Sequence, residues 1–439
     1  MTSQSSNIRS FFKVKKSLIL LQISVFSFIF LWDFKYDFYQ LRYLIIIPFL
    51  LIIINFKNTN YNLFLKYSLL PFLILIHFFL VNISDATNLE YRDLFGILLL
   101  FIIFNVALFY NDVILNSLDK YINWFIIIFS ISFLLFFFLN DTKIILNCYN
   151  GWFFQTKFFF IENSHFAIIA VPIINYYSLI FCKLKSFSKN NKIIFAFFIL
   201  FLIISFLNFS TTFLVGLIIS NFYLLFFYKN NLKIKILSII FISISFFIIF
   251  NKSQCADRSI NLIKSIPQYY KESGISQYLE RTILNKYLVK KESTTEEEIN
   301  IKTVPTNMSI ATFITSLKIT FKSIKDNPFG VGFNRYQDAH KKYIDQLKLD
   351  NRSIKKNNIY DGSSNISKLI TEFGIFGVII ILIFIHSTFR FNNFGSKKFF
   401  LISLISMQFL RGVGYFNGGF LLLAIIYFYN YLKIREKND

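Results

Sequence analysis

The chain is 439 residues long, 55% hydrophobic and 20% aromatic, with a mean hydropathy of +0.54. That composition excludes an ordinary water-soluble protein, whose surface must meet water. The net charge of +22, from 46 Lys and Arg against 24 Asp and Glu, does not indicate nucleic acid, because the cations sit beside apolar runs as the positive-inside rule expects.

The first element is an apolar run behind Arg9, Lys13, Lys15 and Lys16. No small-residue cleavage site follows Trp32, so the run is expected to stay as a first helix rather than leave as a signal peptide. Further apolar segments lie at 41–56, 63–83, 93–110, 121–139, 158–181, 192–209, 211–228, 235–250, 369–389, 399–410 and 415–432. At these lengths only helices satisfy their backbone hydrogen bonds inside lipid. The predicted fold class is therefore all-α integral membrane, with about twelve spans. Three regions follow: residues 1–250 with nine spans, a polar loop over 251–365, and residues 366–439 with three more spans and a basic tail.

Short-loop charges set the orientation. Lys183, Lys185, Lys189, Lys229, Lys233, Lys235, Arg390, Lys397 and Lys398 fall on one side together with the tail residues Lys433, Arg435 and Lys437. This places both termini in the cytoplasm and the large loop outside. Within that loop a helix is expected over Ser309–Lys325, and Glu296, Glu297 and Glu298 read as a solvated face. Cys148 and Cys255 then share the outer face. They can pair in an oxidising compartment or stand as unrelated thiols. Four scattered histidines and the lack of a CxxC spacing offer no metal site, and no cofactor is expected.

Polar groups at the membrane boundary are the functional candidates. Glu162 and His165 stand three apart at the outer start of the sixth segment. Such a pair can orient or deprotonate a hydroxyl, or can simply glue two helices. Arg281, Arg335 and Arg411 supply guanidinium forks that suit phosphate oxygens, and interfacial arginines also snorkel to lipid headgroups. Gly330 and Gly332 follow Pro328 in a turn that permits close approach by a ligand. Asp361 and Glu372 are second-choice acid–base groups, and Tyr415 and Asn417 belong to the glycine-rich stretch after Arg411.

Together these segments resemble the bacterial O-antigen repeat-unit polymerase family, within the broader group that includes O-antigen ligases. Phe160–Ala167 resembles that family's Glu-Pro-Ser-His-type motif with Asn163 in place of proline, and Asn208–Thr212 resembles its Ser/Thr-rich segment. The turn Asn327–Gly332 and the stretch Glu372–Gly377 resemble the end of its large loop. Ligases usually carry a His-Asn pair about eleven residues before the Gly-Ile-x-Gly step; this chain has Ser363-Ser364-Asn365 there, which favours the polymerase.

The resemblance implies a metal-independent glycosyltransferase of the bacterial cytoplasmic membrane. Its partners would be a polyprenyl-diphosphate-linked glycan donor and acceptor, membrane lipids and a chain-length regulator, with no nucleic acid. It further implies that Arg281, Arg335 and Arg411 hold diphosphate while Glu162 and His165 handle the acceptor hydroxyl. A ligase or a lipid-linked oligosaccharide flippase is the alternative. The absence of an internal repeat and the off-centre loop weigh against a transporter of two similar halves.

Overall fold

A computed structural model describes residues 15–36, 39–54, 72–81, 91–139, 160, 163–183, 189–207, 210–227, 232–250, 308–347, 358–388, 394, 396–412 and 414–438. Glu162, Arg281, Cys148 and Cys255 lie outside the described residues. The architecture is all-helical, apart from a two-residue antiparallel pairing of β1 (Lys35–Tyr36) with β2 (Tyr39–Gln40). Among the described residues two helices are long and apolar enough to cross a membrane, Leu94–Leu135 and Ser164–Phe181.

In chain order the first helices are α1 (Lys15–Phe30), α2 (Ile46–Ile54) after a 3-10 turn, α3 (Phe72–Val81) and α4 (Tyr91–Leu139). They are followed by α5 (Asn163–Lys183), α6 (Lys189–Leu207), α7 (Thr211–Phe227) and α8 (Leu232–Phe250). The polar region supplies α9 (Met308–Asp326) and α10 (Tyr336–Ile344). The chain ends with α11 (Asn365–Phe373), α12 (Ile375–Thr388), α13 (Lys398–Arg411) and α14 (Gly418–Asn438).

Two expectations change. The segments 93–110 and 121–139 are arms of a single 49-residue helix, α4. A straight helix would hold Gly96 and Phe125 about 44 Å apart. Yet Gly96 lies against Phe416, Gly418 against the backbone of Ile29, and the next residue, Phe30, stacks on Phe125. Even fully extended, that chain of contacts is shorter than the straight helix, so α4 bends through its polar middle. There the Asn111 amide donates to the Leu108 carbonyl at 2.7 Å, a side-chain intrusion into the helical ladder. The segment 369–389 is divided instead. It breaks at Gly374 into α11 and α12, so Glu372 sits on a separate short helix that packs against α9.

Asparagine and serine side chains tie the bundle. The Asn175 amide donates to Ser220 (2.9 Å) and Ser403 (2.8 Å), and Asn221 donates back to Asn175 (3.1 Å). These bonds between buried side chains join α5, α7 and α13. One turn away Val171, Gly216 and Met407 meet, so α13 runs antiparallel to α5. On α8 the buried face carries Ile234, Ser238, Phe241 and Ser245, whereas Leu232, Ile236, Ile239 and Phe247 are half or more exposed. Hydrocarbon therefore dominates the outer face as well as the inner one, unlike on a helix that faces water.

The polar region has a small core of its own, built from Ile319, Tyr336, Ala339, Tyr343, Ile344 and Leu347. It docks through backbone. The turn after α9 donates Val331 N–H to Thr371 O (3.0 Å) and Gly332 N–H to Glu372 O (2.9 Å), and accepts Ile375 N–H on Pro328 O (2.9 Å). The end of α11 thereby finds partners for carbonyls that a helix terminus leaves open. Approach this close needs glycine on both sides. Gly330 has φ +86° and Gly374 φ +57°, and a Cβ on Gly374 would sit 2.0 Å from Pro328 O. Gly374→Ala is therefore expected to cost more than about 2 kcal/mol, combining left-handed strain with a backbone clash. Gly414→Ala, at φ +85° but with no atom nearer than 4.0 Å, should cost only about 1–2 kcal/mol. Thermal melting in detergent checks this order, and equal shifts would contradict it.

Candidate functional site

The centre of the site is Glu372, whose side chain is fully buried. Its Oε2 accepts the Tyr415 hydroxyl at 2.8 Å, and its Oε1 accepts the Tyr336 backbone N–H at 3.3 Å. Lys368 Nζ, one helical turn earlier, lies 3.4 Å from Oε1. Burial pushes the Glu372 carboxyl up from its ordinary value, opposed by Lys368, the Tyr415 hydroxyl and the backbone N–H groups of Asn334 and Tyr336. Lys368 is itself held: its ammonium donates to Tyr360 O at 2.7 Å and stands 5.3 Å from the Tyr415 ring centroid.

Around this carboxylate the structure gathers most of the residues singled out in the sequence. Gly330 and Gly332 belong to the turn that docks beneath it. Arg335 ends that turn, pairs with Asp338 at 3.2 Å and lies 5.7 Å from the Phe78 ring centroid on α3. Arg411 is the last residue of α13 and donates to Ser363 O at 3.2 Å. Asp361 accepts the Ser363 N–H at 3.1 Å, so both charged groups act on one residue. Asn417 caps α14 by accepting the Phe420 N–H at 3.1 Å. Tyr415 and Asn417 thus precede the last helix rather than lie within it.

Ser364 caps α11 by accepting the Ser367 N–H at 3.2 Å. Asn365 reaches across to α13, donating to Gln408 at 2.9 Å and accepting Gly414 N–H at 3.0 Å. These residues set the distance between α11 and the Arg411–Asn417 turn. An apolar cavity of about 110 Å³ adjoins the cluster, walled by Leu369, Phe373, Tyr415, Phe333, Phe104 and Phe420.

His165 belongs to a second polar centre. Its Nδ1 lies 2.9 Å from Asp33 Oδ2, both residues are buried, and the Trp32 ring packs at 5.5 Å. From the pairing of Val171 with Met407 and of Asn175 with Ser403, antiparallel register places His165 level with the turn after Arg411. Gly418 against Ile29 brings the end of α1, and hence Asp33, to the same end of the bundle. Sequence reasoning passed over Asp33, whose partner is 132 residues away. It also passed over Lys368, although the four-residue spacing to Glu372 was a usable signal. Among the described residues no three His, Cys, Asp or Glu side chains group as metal ligands.

Comparison with protein-family models and with curated proteins returns no match.

The cluster makes a stability claim that can be checked. Glu372→Ala strands the Lys368 ammonium and is expected to cost about 3–5 kcal/mol. Lys368→Met combined with Glu372→Leu, which removes both charges, should recover more than half of that loss. Chemical denaturation in detergent reads both, and a double variant no more stable than Glu372→Ala would contradict the pairing.

Proposed function

We propose that this protein is a polytopic membrane glycosyltransferase that polymerises polyprenyl-diphosphate-linked oligosaccharide repeat units at the outer face of the bacterial cytoplasmic membrane. One observation carries the reading. The separate stretches that resemble the polymerase family, at 327–332 and 372–377, meet with the Arg411–Asn417 turn around one buried carboxylate, at one end of an apolar bundle and beside an apolar cavity.

The membrane setting is supported by the apolar outer face of α8, because lipid would solvate its exposed Leu, Ile and Phe side chains while Ser238 and Ser245 face protein. In this reading the chain has about twelve spans, with the two arms of α4 counting as separate crossings. The 251–365 loop and the His165 end then lie outside, and both termini lie inside. At the positions where ligases carry a His-Asn pair, Ser364 caps α11 and Asn365 bridges to α13 in this chain; the missing histidine is what favours polymerisation over ligation.

The chemistry needs no metal or nucleotide. The acceptor hydroxyl oxygen attacks the anomeric carbon of the growing chain, and the bond from that carbon to the diphosphate oxygen breaks. Polyprenyl diphosphate leaves with the electron pair. The hydroxyl proton passes to the Glu162–His165 region. Arg411 and Arg335, with Arg281, neutralise the charge that grows on the leaving diphosphate.

Reconstituted protein supplied with polyprenyl-diphosphate-linked repeat units should yield a ladder of products, releasing one polyprenyl diphosphate per addition. Arg411→Ala should slow this on the order of a hundredfold, with the amount of folded protein unchanged. No extension by the unaltered protein would refute the function, and full activity in both Arg411→Ala and Glu162→Ala would remove the site assignment.

A further inference from the structure

We propose that Asp33 is a positioning residue for His165, making the imidazole the base that receives the acceptor proton; this rests on the glycosyltransferase reading above. The geometry is that of a carboxylate–imidazole dyad. Asp33 Oδ2 stands 2.9 Å from His165 Nδ1. A carboxylate can only accept, so Nδ1 carries the hydrogen and Nε2 becomes the basic nitrogen. Trp32, the residue beside Asp33, packs its ring on the imidazole at 5.5 Å with a 42° tilt, which limits rotation of the ring.

The pair is assembled from distant parts of the chain. Asp33 sits in the turn that follows α1, and His165 is the third residue of α5. A bond that only fastened this turn to α5 would need no ionisable groups. A buried charged pair is weak evidence for stability, because desolvation offsets its attraction. What the pair does provide is a defined tautomer and orientation at the end of the bundle that holds Arg411 and the Glu372 cluster. As the acceptor oxygen bonds to the anomeric carbon, its proton moves to Nε2 and the carbon–diphosphate bond breaks. The Asp33 carboxylate stabilises the imidazolium until the proton passes to water.

The test uses the full-length protein in vesicles with the lipid-linked repeat-unit substrates. Asp33→Asn should lower kcat on the order of a hundredfold and leave KM for the acceptor within about twofold. Adding His165→Gln to Asp33→Asn should cost less than about threefold more, since the two residues act as one unit. Asp33→Glu, which keeps the carboxylate, should recover part of the loss. An undiminished kcat in Asp33→Asn overturns the assignment alone. A loss that tracks the amount of folded protein, or failure of both Asp33 variants to accumulate, makes the pair a structural fastening and also overturns it. An unaltered protein without transfer activity overturns the functional reading and this assignment with it.

Discussion

A carboxylate with no exposed surface has to be satisfied by protein, and the donors that satisfy Glu372 come from three separate segments. Tyr336 and Asn334 lie at the end of the loop turn, Lys368 on the same short helix, and Tyr415 in the turn between α13 and α14. Taking such an ion out of water costs several kcal/mol unless its partners are well placed. Each segment is therefore held in register with the other two. Arg335, Asp361, Arg411 and Asn417 take their positions from that arrangement. A group this enclosed and this fully bonded organises the site and is not free to meet a substrate. Of the two arginines beside it, Arg411 at the end of α13 is partly buried and Arg335 is buried next to Phe78.

Beneath the knot the bundle has an apolar core crossed by a few polar bonds. Hydrogen-bonding side chains such as Asn175, Asn221, Ser220 and Ser403 face one another inside. Hydrocarbon faces outward along α8. Such bonds, and close packing at glycines such as Gly418 against the Ile29 backbone, fix which helix faces meet. The cavity beside Tyr415 lies where this core meets the knot, apolar on its walls and bordered by the Glu372 cluster.

Much of this arrangement can be read from hydropathy. Nearly every described apolar run is helical, and the helix expected over Ser309–Lys325 runs Met308–Asp326. The departures have physical causes. Residues 111–120 look like a loop because Asn111, Asp112, Asn116, Asp119 and Lys120 are polar. They are helical all the same, and polar side chains there find cross-helix partners, Asp119 with Tyr176 and Lys120 with Gln22. The run 369–389 looks continuous because hydropathy does not register the φ +57° that Gly374 adopts against Pro328. At the site, the charged and glycine residues were legible as candidates, since each is costly or conformationally special beside a membrane. Their grouping was not. Glu372 meets Tyr336 and Tyr415, and His165 meets Asp33, across separations of 36, 43 and 132 residues that no local pattern encodes.

The central claim is that this chain joins lipid-linked repeat units. The most direct measurement is the surface glycan profile of a strain lacking the protein, run on a gel that resolves polymer length. The account predicts a single repeat unit on the lipid acceptor, with the long ladder gone and restored by the unaltered gene. Intact polymer stranded on its polyprenyl carrier, repeat units trapped on the cytoplasmic side, or an unchanged profile would contradict it.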